Sequence, residues 1–161
     1  MHPFARPLPK SATASRNPLR FWDASAVIPA LLREPKTEII LSLLREDEGM
    51  TVWWITQIEC ASALSRRLTE GTFDLWRFDQ SVDRLAALLG EWTEEQPSRE
   101  MRMLAEYFLV LHRLKTADAL QLAAAFQWCG WNPEGREFVC LDNKLRTAAA
   151  LEGFSVLPLT N

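Results

Sequence analysis

The sequence predicts an α/β fold in which helices flank a central, mainly parallel sheet of four to five short strands. Two features lead to this prediction. Runs such as residues 51–55 and 138–141 are short and almost continuously apolar, which is typical of strands covered on both faces. Helical patterns separate these runs, and a helix between two strands is the usual crossover of a parallel sheet. At 161 residues the chain is long enough for one such domain with a substantial core.

Strand and helix patterns follow one another along the chain from Leu19 onward. Strands are predicted at residues 19–22, 51–55, 138–141 and 154–157, with a possible edge strand between Trp92 and Pro97. The predicted helices cover residues 26–33, a segment between Pro35 and Gly49, 56–70, 72–92, 98–112, a segment from Thr116 to the loop at Gly130, and 145–151. The helices at 56–70 and 72–92 together form a predicted hairpin. Its apolar stripes carry tryptophans that are candidates for contact with a partner protein.

Side-chain caps are predicted at several helix starts. Ser25, Ser98 and Thr116 each stand just before an apolar helical pattern, where a hydroxyl can accept from a free backbone N–H. Thr56 and Glu59 have the spacing of a capping box, so the simplest role for Glu59 is structural. In the helix that follows Thr116, Gln121 is the one polar residue expected to face water.

Composition narrows the class of protein. The formal charge is −3, but the first twenty residues hold four bases and no acid, which leaves 14 Lys and Arg against 21 Asp and Glu, or −7, in the rest. Such a body does not bind nucleic acid through a broad basic surface, although a bound cation can invert the field locally. Three unpaired cysteines and two histidines predict neither a disulfide framework nor a zinc site. No apolar run is long enough for a membrane span, so a cytoplasmic location is expected.

The first 18 residues differ from the rest of the chain. They are rich in proline, serine and arginine and show no periodic pattern. We therefore expect a flexible N-terminal extension at residues 1–18 and a single domain at residues 19–159.

Four acids stand at the ends of apolar runs or at the start of helices. Asp23 and Asp142 end strands, Glu59 lies one helical turn beyond a strand, and Asp118 begins an apolar helix. Because the carboxyl ends of parallel strands share one edge of a sheet, all four are expected to converge there. For each acid alone, a role at a helix start is an equally good explanation.

Convergence of four carboxylates has an electrostatic consequence. Two carboxylates about 5 Å apart repel by about 3 kcal/mol at an effective dielectric constant of about 20, so an ionised group of four needs a counter-charge. Ligands that are all oxygen suit Mg²⁺ or Mn²⁺. The sequence therefore predicts a divalent-metal site at this edge.

The acids lie in four short motifs, which occur in this order: FWDASA at 21–26, WWITQIECASAL at 53–64, ADALQLA at 117–123 and LDNKL at 141–145. As a set, these motifs resemble the PIN-domain ribonucleases, and most closely the VapC-type toxins of bacterial toxin–antitoxin pairs. The resemblance covers about residues 21–158. The extension before Leu19 departs from the family pattern.

The resemblance implies a PIN-like fold and a divalent-metal-dependent endoribonuclease, with Asp23, Glu59, Asp118 and Asp142 as catalytic and metal-binding acids. It also implies an RNA substrate, a small antitoxin protein as partner and a homodimer. Ser25 is expected to support Asp23. Basic residues near the acids are candidates for contacts with the RNA phosphates, and these are Arg66, Lys115 and Lys144.

Three other interpretations remain open. In the first, the chain is a PIN nuclease without an antitoxin. In the second it is a non-catalytic PIN-fold interaction module, and in the third a phosphoaspartyl enzyme that uses Asp23. The last requires a second carboxylate two residues on, where Ser25 stands. His112 is expected to have a structural role at a helix end, since no second histidine of the domain can pair with it.

Overall fold

The structure is a computed structural model that describes residues 19–159, so the extension predicted at residues 1–18 lies outside the described residues. Five short strands form one sheet in the order β3-β2-β1-β4-β5, and every neighbouring pair is parallel. The predicted α/β fold with a parallel sheet is confirmed, and the possible edge strand is present as β3. The strands are β1 (Arg20–Trp22), β2 (Thr51–Trp53), β3 (Thr93–Glu95), β4 (Glu137–Val139) and β5 (Ser155–Leu157).

Helices connect the strands and cover both faces of the sheet. They are α1 (Ala24–Leu32), α2 (Thr37–Glu46), α3 (Thr56–Thr69), α4 (Leu75–Leu89), α5 (Arg99–Leu111), α6 (Thr116–Trp128) and α7 (Asn143–Leu151). None of these helices is both long and apolar enough to cross a bilayer, a finding that concerns residues 19–159.

Two hydrophobic cores lie on opposite faces of the sheet because successive strand residues point in opposite directions. Phe21 and Phe138 face α5, α6 and α7, while Trp22 and Val139 face α1 to α4. All four side chains are completely buried. This two-sided burial explains why β1 and β4 each carry two adjacent apolar residues, one for each face of the sheet.

The predicted side-chain cap is wrong at three helix starts. At α1 the N-cap is Asp23, whose carboxylate accepts from the backbone N–H of Ser25. Thr56 and Thr116 are the first residues of α3 and α6, not N-caps, and neither helix has a side-chain cap. The residue before Thr56 already has helical dihedrals, so the extended geometry that a capping box requires is absent. Glu59 is therefore free of the capping role.

Two other predicted helix ends can be compared with the structure. Ser98 caps α5 as predicted, with its hydroxyl accepting from Met101 N–H at 3.1 Å. The predicted hairpin is present as α3 and α4, but α4 begins at Leu75, because Asp74 and not Thr72 supplies the cap.

His112 follows α5, and its Nε2 lies 2.7 Å from Oε1 of Glu152, a structural contact between two distant segments.

Candidate functional site

The candidate site lies where the strand order changes direction. β2 and β3 stand on one side of β1, whereas β4 and β5 stand on the other. The carboxyl ends of β1 and β4 thus flank a topological switch point, where parallel sheets commonly bind ligands. Asp23 directly follows β1, and its backbone N–H donates to the carbonyl of Val139 in β4 at 2.9 Å. Asp142 follows the end of β4 and caps α7 by accepting from Leu145 N–H at 2.9 Å.

Ser25 joins these two strand ends. Its hydroxyl donates to Oδ2 of Asp23 and accepts from the backbone N–H groups of Leu141 at 2.9 Å and Asp142 at 3.2 Å. One side chain thus ties the segment after β1 to the segment after β4. The prediction that Ser25 supports Asp23 agrees with this position, and the same hydroxyl also positions Asp142. Ser25 is the residue that sets the spacing of the two acids.

Asp23 is a buried acid, with 4% of its surface exposed. The pKa of Asp23 is raised from 3.8 to about 6, chiefly by burial and in small part by the charge on Asp118, whereas hydrogen bonds from Ser25 and Cys140 oppose the rise. An ionised carboxylate in such a place is costly unless a cation or a donor compensates it. Near neutral pH the position favours a bound positive charge.

Glu59 faces the same region from the first turn of α3, and its partner is Gln121 of α6. Nε2 of Gln121 donates to Oε2 of Glu59 at 2.7 Å and to Oγ1 of Thr56 at 3.5 Å. The pKa of Glu59 is raised from 4.5 to about 7, chiefly by burial and also by the charges on Asp23 and Asp118, while the Gln121 hydrogen bond opposes the rise. Glu59 is thus poised to exchange a proton near neutral pH.

Gln121 is a site residue whose predicted exposure is wrong. The sequence predicts that it faces water, but it is 1% exposed and lies between α6 and α3. Its Oε1 is buried, and no described residue donates a hydrogen bond to it. The available signal was a single amide, one turn after Asp118, in a helix that is otherwise apolar.

Asp118 connects the remaining acid to the group. Burial raises the pKa of Asp118, the charge on Asp142 raises it further, and Lys115 and Lys144 lower it. Lys144 also donates to the carbonyl of Arg113, which places the start of α7 against the segment before α6. Both predicted lysines therefore lie within electrostatic reach of an acid.

The four predicted acids act on one another electrostatically although they come from four separate segments. Asp23 interacts with Asp118, Glu59 with both, and Asp118 with Asp142. Arg66 is placed differently. It is exposed on α3, two turns beyond Glu59 and about 10 Å farther along the helix axis.

The chemistry of this donor set fits a hard divalent cation. Its ligands are carboxylate oxygens, their mutual repulsion favours a positive charge, and the unpartnered Oε1 of Gln121 can accept from metal-bound water. Within residues 19–159, no three His, Cys, Asp or Glu side chains are already gathered into a metal-holding group. A cation there would draw the carboxylates closer together.

The fold and the site together define an α/β protein with an acidic site at the carboxyl edge of a parallel sheet. Neither a family model nor a curated protein matches the chain. Among solved structures, it is similar to the crystal structure of PAE2754 from Pyrobaculum aerophilum, with 20% sequence identity and a TM-score of 0.56. The match covers 86% of this chain and 83% of that chain. At this identity the similarity supports the α/β fold alone.

Proposed function

We propose that the protein is a divalent-metal-dependent endoribonuclease of the PIN-domain type and the toxin of a toxin–antitoxin pair. One observation carries the proposal. Four carboxylates from four separate segments influence one another at the strand-order switch point, and burial raises the pKa of two of them, Asp23 and Glu59, to about 6 and about 7. Helix capping accounts for only Asp23 and Asp142, since Glu59 and Asp118 cap no helix.

The proposed roles follow from the contacts of each residue. Asp23, Asp118 and Asp142 would hold Mg²⁺ or Mn²⁺, which when bound polarises a phosphodiester and stabilises the charge on the leaving oxygen. Glu59, oriented by Gln121, positions the attacking water and accepts its proton. Ser25 keeps the two strand ends at a constant separation.

The basic residues have a separate role in the proposal. Lys115 and Lys144 offset the charge of an incoming phosphate, since both already act on Asp118. Arg66, farther along α3, would contact the RNA at a more distant phosphate.

The direct test is cleavage of single-stranded RNA by the purified protein with Mg²⁺, with Mn²⁺ and with a chelator. The proposal predicts cleavage in both metals, none with the chelator, and none in Asp118→Asn under any condition. Cleavage that persists in the chelator, or in the well-folded variant, would contradict it.

Partners follow from the same proposal. A toxin of this class acts on cytoplasmic RNA as a homodimer and is inhibited by a small antitoxin. The outer face of α5 offers an apolar surface for self-association: Met103, Tyr107, Val110 and Leu111 recur at helical spacing and are between 49% and 80% exposed. A short gene for a DNA-binding protein next to this one would support the antitoxin.

A non-catalytic PIN-fold interaction module is the second candidate. It is favoured by the capping roles of Asp23 and Asp142, which account for two of the acids without chemistry. The two candidates differ in their response to metal. A nuclease site that binds the cation only when folded raises the melting temperature in millimolar Mn²⁺, whereas a module that uses the acids as caps shows no change.

A further inference from the structure

A second polar site lies at the far end of α1 from the acids. A cleft of about 250 Å³ opens between the end of α1 and the first half of α4. We call it the arginine cleft, and its wall is formed chiefly by Arg33, Phe73, Trp76, Arg77, Gln80 and Arg84. Since α1 has nine residues, the cleft lies about 14 Å along its axis from Asp23.

The cleft is built by contacts between α1 and α4. Ser81 Oγ at 3.0 Å and Arg84 at 2.9 Å both donate to the carbonyl of Leu31, in the last turn of α1. Arg84 also donates to Oε1 of Gln80 at 3.1 Å. Two side chains of α4 thus satisfy one carbonyl of α1, and the guanidinium of Arg84 is held in place.

The spacing along α4 explains how the wall is assembled. Gln80, Ser81 and Arg84 follow Arg77 by three, four and seven residues, so all four share one face of the helix. Arg33 faces them from the end of α1, where its backbone has φ 54° and ψ 59°. Glycine adopts that conformation at lower cost, so the backbone alone does not explain an arginine here.

The arginines and aromatic residues that line the arginine cleft suit a ligand with a negative charge and a flat ring. Three arginines line the cleft, and none of its lining residues, all within 19–159, is acidic. This positive region stands out on a body with a formal charge of −7. Trp76, which is 66% exposed, and Phe73 add two aromatic rings to the lining of the same cleft. Basic side chains beside aromatic faces are the combination that binds single-stranded nucleic acid.

We propose that the arginine cleft binds one nucleotide of single-stranded RNA, with its base stacked on Trp76 and its phosphate bound by Arg33 and Arg77. The volume is below the range of about 300–1,000 Å³ for drug-sized ligands, so a single nucleotide fits better than a larger cofactor. The inference rests on the proposed nuclease function. It adds an anchor for the substrate strand away from the cleaved bond.

The test measures binding without cleavage. Asp118→Asn protein in a chelator is titrated into a labelled RNA of about twelve nucleotides, and affinity is read by fluorescence anisotropy. On this background, Arg77→Ala and Trp76→Ala are each expected to weaken binding about tenfold. Arg77→Ala should also reduce the slope of log affinity against log salt by about 0.7, the value for one phosphate contact on a single strand.

Matched variants separate the cleft from general charge and apolar effects. Arg102→Ala removes an exposed arginine from α5, and Leu75→Ala removes an exposed apolar side chain next to Trp76. Both should leave affinity within twofold, and Trp76→Phe should restore most of the loss seen in Trp76→Ala. Arg84 is left intact because it joins α4 to α1. Equal losses in the controls and the cleft variants would overturn the proposal.

Two competitors distinguish RNA from other anionic ligands. Adenosine monophosphate that competes as strongly as the RNA strand, and depends on Arg77, would make the cleft a site for free nucleotides and overturn the RNA proposal. Polyglutamate that competes equally well would make it a site for acidic peptides and overturn it too. Cleavage by the wild-type protein is measured separately. If the wild-type protein cleaves RNA but the cleft variants bind RNA as tightly as their parent, only the cleft proposal is refuted. If RNA binding depends on Arg77 but the wild-type protein cleaves no RNA, only the nuclease proposal is refuted.

Discussion

Replacing Glu59 by glutamine tests the acidic site through stability as well as activity. The introduced amide keeps an acceptor for Nε2 of Gln121 and removes the charge that Asp23 and Asp118 repel. The pKa of Glu59 is about 7 in the folded protein, against an ordinary value of 4.5 for a glutamate. The folded state therefore binds the proton more tightly than the unfolded chain. Ionisation of Glu59 therefore destabilises the metal-free protein.

The difference in pKa between the folded and unfolded states sets how the stability of the protein depends on pH. In the wild-type protein, the stabilisation that comes from protonated Glu59 is fully present below pH 4.5. It is lost as the pH rises through 7. The stability gained by Glu59→Gln should thus be near zero at pH 4, grow up to pH 7 and stay constant above it. The pKa rise sets an upper limit of about 3 kcal/mol, and because the other acids relax when one charge is removed, we expect about 2 kcal/mol.

The measurement is thermal unfolding of both proteins between pH 4 and pH 8 in a chelator. A gain of about 2 kcal/mol corresponds to a rise of about 4–8 °C in the melting temperature at pH 8. On the same samples, Mn²⁺-dependent RNA cleavage should fall at least tenfold, equal to about 1.4 kcal/mol in the barrier. A pH-independent difference in stability together with unchanged cleavage would refute the placement of Glu59 among interacting acids.

Three further predictions concern other residues. Asp118→Asn should abolish RNA cleavage while the melting temperature without metal stays equal or rises, which a melt and a cleavage assay on one preparation can show. Ser25→Ala should lower stability by about 1–3 kcal/mol and reduce cleavage, because two backbone N–H groups lose their acceptor and Asp23 loses a donor. The control Ser62→Ala, at an exposed position, should change neither stability nor cleavage. Val110→Arg should convert a homodimer to a monomer in sedimentation without changing the melting temperature of the monomer, since this side chain is 80% exposed, and an unchanged sedimentation coefficient would exclude α5 as the interface.

Much of the fold could be predicted from local patterns. A strand covered by helices on both faces is apolar at most positions, so the runs around Phe21, Val52 and Phe138 are visible without a structure. Asp23 and Asp142 are visible for the same reason, because each is the first charged residue after an apolar run. The order of the elements then requires crossovers and predicts a parallel sheet.

Helix starts were less predictable, because a cap depends on backbone dihedrals. A threonine before an apolar pattern looks the same whether it is an N-cap or the first residue of the helix. Ile55 already has φ −86° and ψ −1°, so Thr56 lies inside α3 and its hydroxyl faces Gln121. At α1 the carboxylate of Asp23, and not the hydroxyl of Ser25, accepts from a free backbone N–H at the helix start.

The positions of the acids, the apolar runs and the order of both can be read from the chain alone. Which side chains meet depends on packing: Ser25 bonds to two strand ends, Gln121 turns inward to Glu59, and Arg33 joins arginines of α4 to form a cleft. Composition and periodicity depend on neighbours along the chain. Contacts between segments more than 40 residues apart depend on how two helices pack on a sheet, and no local pattern encodes that geometry.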